Sequence, residues 1–329
     1  MRILAAPDKF RGTVTAAEVA RAVSEAGREF GAKTRAVPLS DGGEGFLAVF
    51  GGPNRTTVVS GPLGERVEAG WRMDGRTAVI EMALASGLGL VGGPDGNDPV
   101  AADTTGTGEL IRSALDAGAK RVLVGHGGSA TTDGGLGALR ALFPTARLRG
   151  VDLVAAVDVK TRFVDAAGTF AAQKGASPSQ VELLHRRLER LGQVYLDDYG
   201  LDVRDLAGSG AAGGLSGGLA AVGATIVSGF ELIAAELDLV SAVEQCDVVV
   251  TGEGFVDAAS FEGKVVGGVI ELAAEMDVPV LVVAGEVFDG VDRGLEAVSL
   301  VEMFGRERAM TETLTCITRA VAVRLADFV

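Results

Sequence analysis

Residues 122–142 place the strongest constraint on what this chain folds into. Three consecutive apolar β-formers, Val122-Leu123-Val124, run directly into GHGGSATTDGG and out again into the helix-like segment Leu136–Leu142. Strand, glycine-rich loop and helix in that order belong to a sheet with helices packed outside it. The arrangement also aims several backbone N–H groups at an anion. Glycine lacks Cβ and tolerates positive φ, so such a loop allows its backbone to approach a ligand closely. The segment therefore reads as a phosphate or carboxylate site, with nucleotide chemistry leading. It is neither G-x-x-x-x-G-K-[ST] nor a clean G-x-G-x-x-G, so the two best-known phosphate loops are not what is present.

The chain opens in a related pattern. Arg2–Ala6 reads as a buried strand, and Thr15-x-x-Glu18 is a capping-box signal before a helix with Val19, Val23, Ala26 and Phe30 on one face. Thr34–Pro38 reads as a second strand. Three short β-like runs follow, Thr56–Ser60, Val67–Met73 and Thr77–Met82, separated by turns at 61–64 and Asp74-Gly75. They look like antiparallel strands of a second, smaller domain inserted into the first. A helix at Thr107–Ala117, closed by Gly118, returns the pattern to the strand at Arg121. Val151–Ala156 is another strand and Pro178–Tyr195 an amphipathic helix. Gly208–Gly218, where Leu and Ala interleave with glycine, reads as a packed turn and helix start rather than a tether. In the last third the expectations are strand Asp247–Thr251, polar loop Gly252–Gly263, helix Val265–Met276, strands Val278–Ala284 and Ala297–Phe304, and a closing helix Thr311–Phe328.

The fold class is thus α/β: a Rossmann-like parallel-sheet domain (1–58, 105–145 and 236–329) interrupted by a second, smaller α/β domain (59–104 and 146–235). A length of 329 residues, 47% hydrophobic, supplies cores for both. Only 5% of residues are aromatic and 48 are glycine, which suits layers packed through small side chains. A net charge of −14 argues against a nucleic-acid partner, though not against an anionic substrate, because local fields decide that. No apolar run reaches the ~18 residues of a membrane span, and MRILAAPDKF turns polar too quickly for a signal peptide. Cys246 and Cys316 sit in apolar or helical surroundings and read as reduced thiols of a cytoplasmic protein. Whether the protein is a monomer or a homodimer is open at this level.

Five polar clusters fall at predicted strand–loop boundaries, where an open parallel sheet binds ligands. After the first strand come Asp8, Lys9 and Arg11, suited to a small anion or to a solvated Lys–Asp pair. Asp41 and Glu44 lie on a glycine-bent backbone and suit Mg²⁺, proton removal from a hydroxyl, or a plain capped turn. The opening loop adds Ser129, Thr131, Thr132 and Asp133, with His126 read as hydrogen-bonded structure. Glu253 and Asp257, then Gly263-Lys264, fit metal or phosphate handling and equally a capped loop. Lys174 precedes the helix that starts at Pro178. From the residues alone this is a two-domain enzyme acting on phosphate or carboxylate compounds.

Taken together, APDKFRGT (6–13), SDGGEG (40–45), GPLGE (61–65), IEMALASGL (80–88), DTTGTGELI (103–111), GHGGSATTDGG (125–135), QKGAS (173–177), GSGAAGGLSGG (208–218) and TGEGFVD…GK (251–264) resemble the glycerate kinase family, the two-domain type I kind of bacteria. They run in family order and cover most of the chain; GGSAT-x-DGG and TGEG-x-x-D are the most specific. The resemblance implies phosphorylation of D-glycerate by ATP with Mg²⁺, 2-phosphoglycerate being the favoured product, in a cleft between the domains. It implies that Asp8, Lys9, Arg11 and Lys174 offer charge to the glycerate carboxylate or the moving phosphoryl group. Gly127, Gly128, Ser129 and Thr131 would cradle an anion, with Asp133, Gly252, Gly254 and Lys264 completing the nucleotide contacts. Asp41, Glu44, Glu253 and Asp257 would compete for the metal and general-base roles.

Two departures stand out. The stretch after Ala141-Leu142 is brief, at 143–150. The acid-Val-acid-Asn-Pro pattern of the family reads Asp158-Val159-Lys160-Thr161-Arg162 here, which keeps Asp158 as a candidate but loses the second acid. A kinase for another small hydroxy acid and a non-catalytic relative that binds a small acid or nucleotide are the alternatives this raises.

Overall fold

Short β-branched runs form the strands of two sheets. The computed structural model describes residues 1–261, 264–288 and 296–328. In chain order the strands are β1 (Arg2–Ala5), β2 (Lys33–Ala36), β3 (Arg55–Ser60), β4 (Arg66–Asp74), β5 (Thr77–Glu81), β6 (Arg121–Gly125), β7 (Asp152–Val157), β8 (Thr225–Ser228), β9 (Val248–Val256), β10 (Val280–Val287) and β11 (Glu296–Ser299). The chain divides into two compact units, one of residues 1–41 and 230–329, the other of residues 42–229.

In the first unit the sheet order is β11-β10-β9-β1-β2, with every pairing parallel. The helix Ala16–Glu29 crosses from β1 to β2. Its N-terminus carries the expected capping box: the Thr15 hydroxyl accepts the Glu18 N–H, and the Glu18 carboxylate accepts the Thr15 N–H. Val19, Val23 and Ala26 are buried as the periodicity requires, in one core with Ile317 and Val321 of the helix Thr313–Leu325. The connection from β1 leads toward β2, whereas those from β9 lead the other way, toward β10 and β11. β1 and β9 are neighbours, so their C-terminal ends form a topological switch point, where loops diverge and leave a crevice.

In the second unit the order is sequential, β3-β4-β5-β6-β7-β8, antiparallel up to β5 and parallel from there. Alternate residues of β5 (Ala78, Ile80) and β6 (Val122, Val124) share one core with Leu110, Leu139, Leu184 and Leu215 from helices. Glycine-rich 208–218 is a packed, kinked helix start: the helix Ala211–Ala221 is buried throughout and holds left-handed backbone at Ala212, Gly213 and Gly214.

Several expectations need correction. The antiparallel strands are not a separate domain from the glycine-loop strand: β5 pairs with β4 on one side and with β6 on the other, register Thr77↔Arg121. Segments 42–58 and 105–145, expected with the N-terminal strand, therefore belong to the inserted unit, which is continuous and the longer of the two. Residues 252–256, read as loop, continue β9 beside β10, with Glu253 opposite Ala284. Ala297–Phe304 is a strand only to Ser299, whose hydroxyl accepts the Glu302 N–H and starts a helix. Gly263 lies outside the described residues.

Candidate active site

The switch point of the first unit holds a charged cavity of about 160 Å³. Its walls come from the loop after β1 (Asp8, Lys9, Arg11), from Asp41 following β2, and from the end of β9 and beyond (Glu253, Asp257, Lys264). Backbone pairing sets this up. The Asp8 N–H donates to the Gly252 carbonyl at 2.9 Å, so the β1 loop continues alongside the extended β9 and carries its acid and cations to the C-terminal edge. The Asp257 carboxylate accepts the Ser260 N–H at 3.1 Å and the Ser260 hydroxyl accepts the Asp257 N–H, a turn that ends β9. Residues of three of the five sequence clusters line this one cavity.

The electrostatics are those of crowded acids. Asp8 is 6% exposed. Burial pushes its pKa up to about 7, Lys9 opposes that shift, and Asp41 adds to it. The Lys9 ammonium lies 3.7 Å from Asp8 Oδ1, and the Lys9 N–H donates to the same oxygen at 2.6 Å. Burial also raises the Glu253 carboxyl, with a hydrogen bond from the Ser260 side chain and the charge of Lys264 opposing and Asp41 and Asp257 reinforcing it. Glu253 Oε1 is buried without a hydrogen-bond partner. Among the described residues no three acids, histidines or cysteines converge as a ready-made metal cage. Hard oxygen donors with one buried oxygen to spare fit a cation such as Mg²⁺, which keeps waters and takes one or two carboxylates together with substrate phosphate oxygens. Glu44 is exposed and does not line this cavity.

In the second unit the glycine-rich loop follows β6 as expected. A Cβ on Gly127 would lie 2.4 Å from Gly43 Cα, so this glycine lets two backbones touch. Gly252, in β9, is likewise required by the Val283 carbonyl, whose oxygen would lie 1.9 Å from a Cβ at that position. Gly128 has φ +66°, and Gly254 lines the charged cavity. Asp133 accepts from the Thr104 hydroxyl and from the N–H groups of Thr104, Gly135 and Gly137, all within 2.8–3.1 Å. It thus ties the loop to the helices Thr105–Asp116 and Leu136–Leu142, and burial holds its pKa above the ordinary carboxylate range.

Lys174, expected to face a ligand, is 4% exposed. Its ammonium donates to Ser129 Oγ at 2.8 Å and to the Thr131 carbonyl at 2.6 Å. Burial brings its pKa down to about 7, and Asp133 opposes that shift. His126 is buried structure, as read. Its Nδ1 lies 2.9 Å from the Val124 carbonyl, and burial lowers its pKa to about 4. Asp158 stands half-buried just past β7. Arg162, in the segment that departs from the family pattern, pairs with Asp165 and Asp205 at the surface.

The sequence profile of the glycerate kinase family matches residues 3–143 and 144–325. The chain belongs to the glycerate kinase family. It is similar to the glycerate 2-kinase of Escherichia coli, 37% identical over 342 residues that take in 91% of this chain and 90% of that protein. It is 38% identical to the glycerate kinase of Bacillus subtilis, across 87% and 85% of the two chains. A crystal structure of a candidate glycerate kinase 2 from Salmonella typhimurium superposes with a TM-score of 0.83 at 35% identity, covering 99% of this chain and 98% of that one. This glycerate kinase relative is accordingly an enzyme of the kinase class. The two profile segments abut at Phe143-Pro144, the point where the sequence shows its short connection.

Sequence reading missed Asn97. Its side-chain amide donates to the Ala130 carbonyl at 3.0 Å and to the Lys174 carbonyl at 2.9 Å, joining the glycine-rich loop to the lysine segment. It also missed Glu81, whose carboxylate accepts the Gly45 and Leu47 N–H groups. Neither carries a local signal, since each acts on backbone more than thirty residues away.

Proposed function

We propose that this protein phosphorylates D-glycerate with ATP, giving 2-phosphoglycerate, in the presence of Mg²⁺. The observation that carries the reading is the cavity at the switch point, in which three cations and four carboxylates meet in a chain of the glycerate kinase family. The relative named glycerate 2-kinase supports the choice of the 2-hydroxyl.

Phosphoryl transfer asks a protein mainly for positioning and for charge opposite the migrating group. In this reading Lys9, Arg11 and Lys264 supply that charge. Asp41, Glu253 and Asp257 would hold Mg²⁺, which when bound neutralises phosphate oxygens. Asp8, titrating near neutrality, accepts the proton of the attacking hydroxyl; a base poised close to working pH is the efficient one. Gly128, Ser129 and Thr131, in the second unit, keep the anion-cradling role that the family resemblance implies for them. Lys174 contributes by fixing Ser129 and Thr131, and Asp158 is kept as a candidate catalytic acid. No described helix is long and apolar enough to cross a membrane, and a cytoplasmic location fits the proposal.

The test is ADP release with D-glycerate and Mg²⁺-ATP, with the product's phosphate position read by NMR. Turnover to the 2-phosphate upholds the proposal. Turnover with other hydroxy acids alone, or a glycerate-dependent rise in melting temperature without any ADP, would replace it with one of the two alternatives.

A further inference from the structure

A small apolar recess of about 30 Å³ adjoins the charged cavity within the same unit, and the two share Arg11, Gly254 and Phe255. The apolar lining of the recess includes Phe10, Val301, Ala309 and Met310. Phe255, which lines both the recess and the cavity, stacks on Phe288, ring centroids 6.0 Å apart and planes 30° off parallel. Both rings are exposed, 46% and 49%. Aromatic residues are scarce in this chain, and the other exposed aromatics among the described residues, Phe143 and Tyr199, stand elsewhere in the sequence and in the other unit. The pair is built by the strands themselves. β9 and β10 run on together past the end of the β1 pairing, with Phe255 opposite Glu286, and the Phe288 N–H donates to the Val256 carbonyl at 3.0 Å. The same strand extension therefore places acids and cations in one hollow and two aromatic faces beside it.

We propose that the Phe255–Phe288 shelf binds the nucleobase of the phosphoryl donor, with the adenine ring lying on Phe255 across the mouth of the recess and the phosphates in the charged cavity. The inference rests on the reading that ATP is the donor and adds where its base is held. A recess of this volume does not enclose a purine, so the base stacks on the shelf with one face open. Such stacking is tolerant of base identity, because every base presents a π-face. A triphosphate gripped by Lys9, Arg11 and Lys264 has one large apolar part, and this shelf is the apolar surface continuous with that grip.

The experiment is isothermal titration of the full-length protein, with Mg²⁺ present, using ATP and base-free inorganic tripolyphosphate as probes. Wild type is compared with Phe255→Ala, Phe255→Trp and Phe288→Ala, each checked for an unchanged melting temperature. The expected result is ATP affinity about tenfold weaker in Phe255→Ala, restored in Phe255→Trp and reduced in Phe288→Ala, with tripolyphosphate affinity unchanged throughout. Equal losses for both probes, or no change for ATP, overturn the shelf. If Phe255→Ala alone loses its fold, the Phe288→Ala and Phe255→Trp results decide. Failure of the broader reading shows separately, as wild-type protein that binds ATP yet releases no ADP with glycerate; wild type that binds tripolyphosphate but gains nothing from the base overturns the shelf alone.

Discussion

Lys174→Met tests the electrostatics of the glycine-rich loop. In the folded chain the lysine titrates near 7, because burial disfavours its charge, against 10.5 for a free side chain. Between those values the unfolded chain binds more protons than the folded one, so wild-type stability rises with pH across this window and is flat below it. The full gain is on the order of 5 kcal/mol at 1.36 kcal/mol per unit, about 4 of it between pH 7 and 10. Methionine has no proton to lose. It leaves Ser129 Oγ and the Thr131 carbonyl without their donor, at roughly 1–3 kcal/mol each, and removes the buried charge, so the two effects nearly offset at pH 7. The variant is therefore close to wild type at pH 7, and the gap between them widens by about 4 kcal/mol by pH 10. Urea unfolding followed by fluorescence reads this directly. The single tryptophan, Trp71, is 3% exposed on β4, in the same unit as Lys174. A wild-type-minus-variant difference that stays constant from pH 7 to pH 10 would refute the reasoning.

Three further outcomes follow from the geometry. Asp8→Asn keeps an acceptor for the Lys9 N–H but removes a carboxyl that folding holds protonated up to about pH 7. Wild type binds the extra proton in the folded state between 3.8 and 7 and loses stability as pH rises through that range; in metal-free buffer at pH 8 the variant should melt higher than wild type while losing most of its turnover. Asp257→Asn retains the acceptor for the Ser260 N–H, so its melting temperature should move by no more than a degree or two while turnover falls at least a hundredfold, about 3 kcal/mol of transition-state stabilisation. Gly127→Ala drives a methyl into the Gly43 backbone and should cost roughly 1–3 kcal/mol in urea unfolding, with the loss seen whether or not ligand is present; an unchanged midpoint would return Gly127 to a ligand-facing role.

Local pattern determined a good deal of this protein. The Thr15–Glu18 capping box, the strand at Val122–Val124 and the helix Leu136–Leu142 follow from contacts a few residues apart, and those are what periodicity and capping signals encode. The clusters around Asp8, Asp41 and Glu253 were legible as well, because chemistry collects where strands of a parallel sheet end. Tertiary structure decided the rest. TGEGFV reads as a loop because glycine is poor in strands, yet contact with the Val283 carbonyl demands glycine there and makes it β9. β5 joins both β4 and β6, a choice of partner that no run of residues specifies. Lys174 became a buried clamp only when folding brought Ser129 and Thr131, more than forty residues away, within hydrogen-bond reach of its ammonium. A side chain's type is written locally, whereas the groups it meets, and hence its charge state and its role, are set by contacts between distant segments.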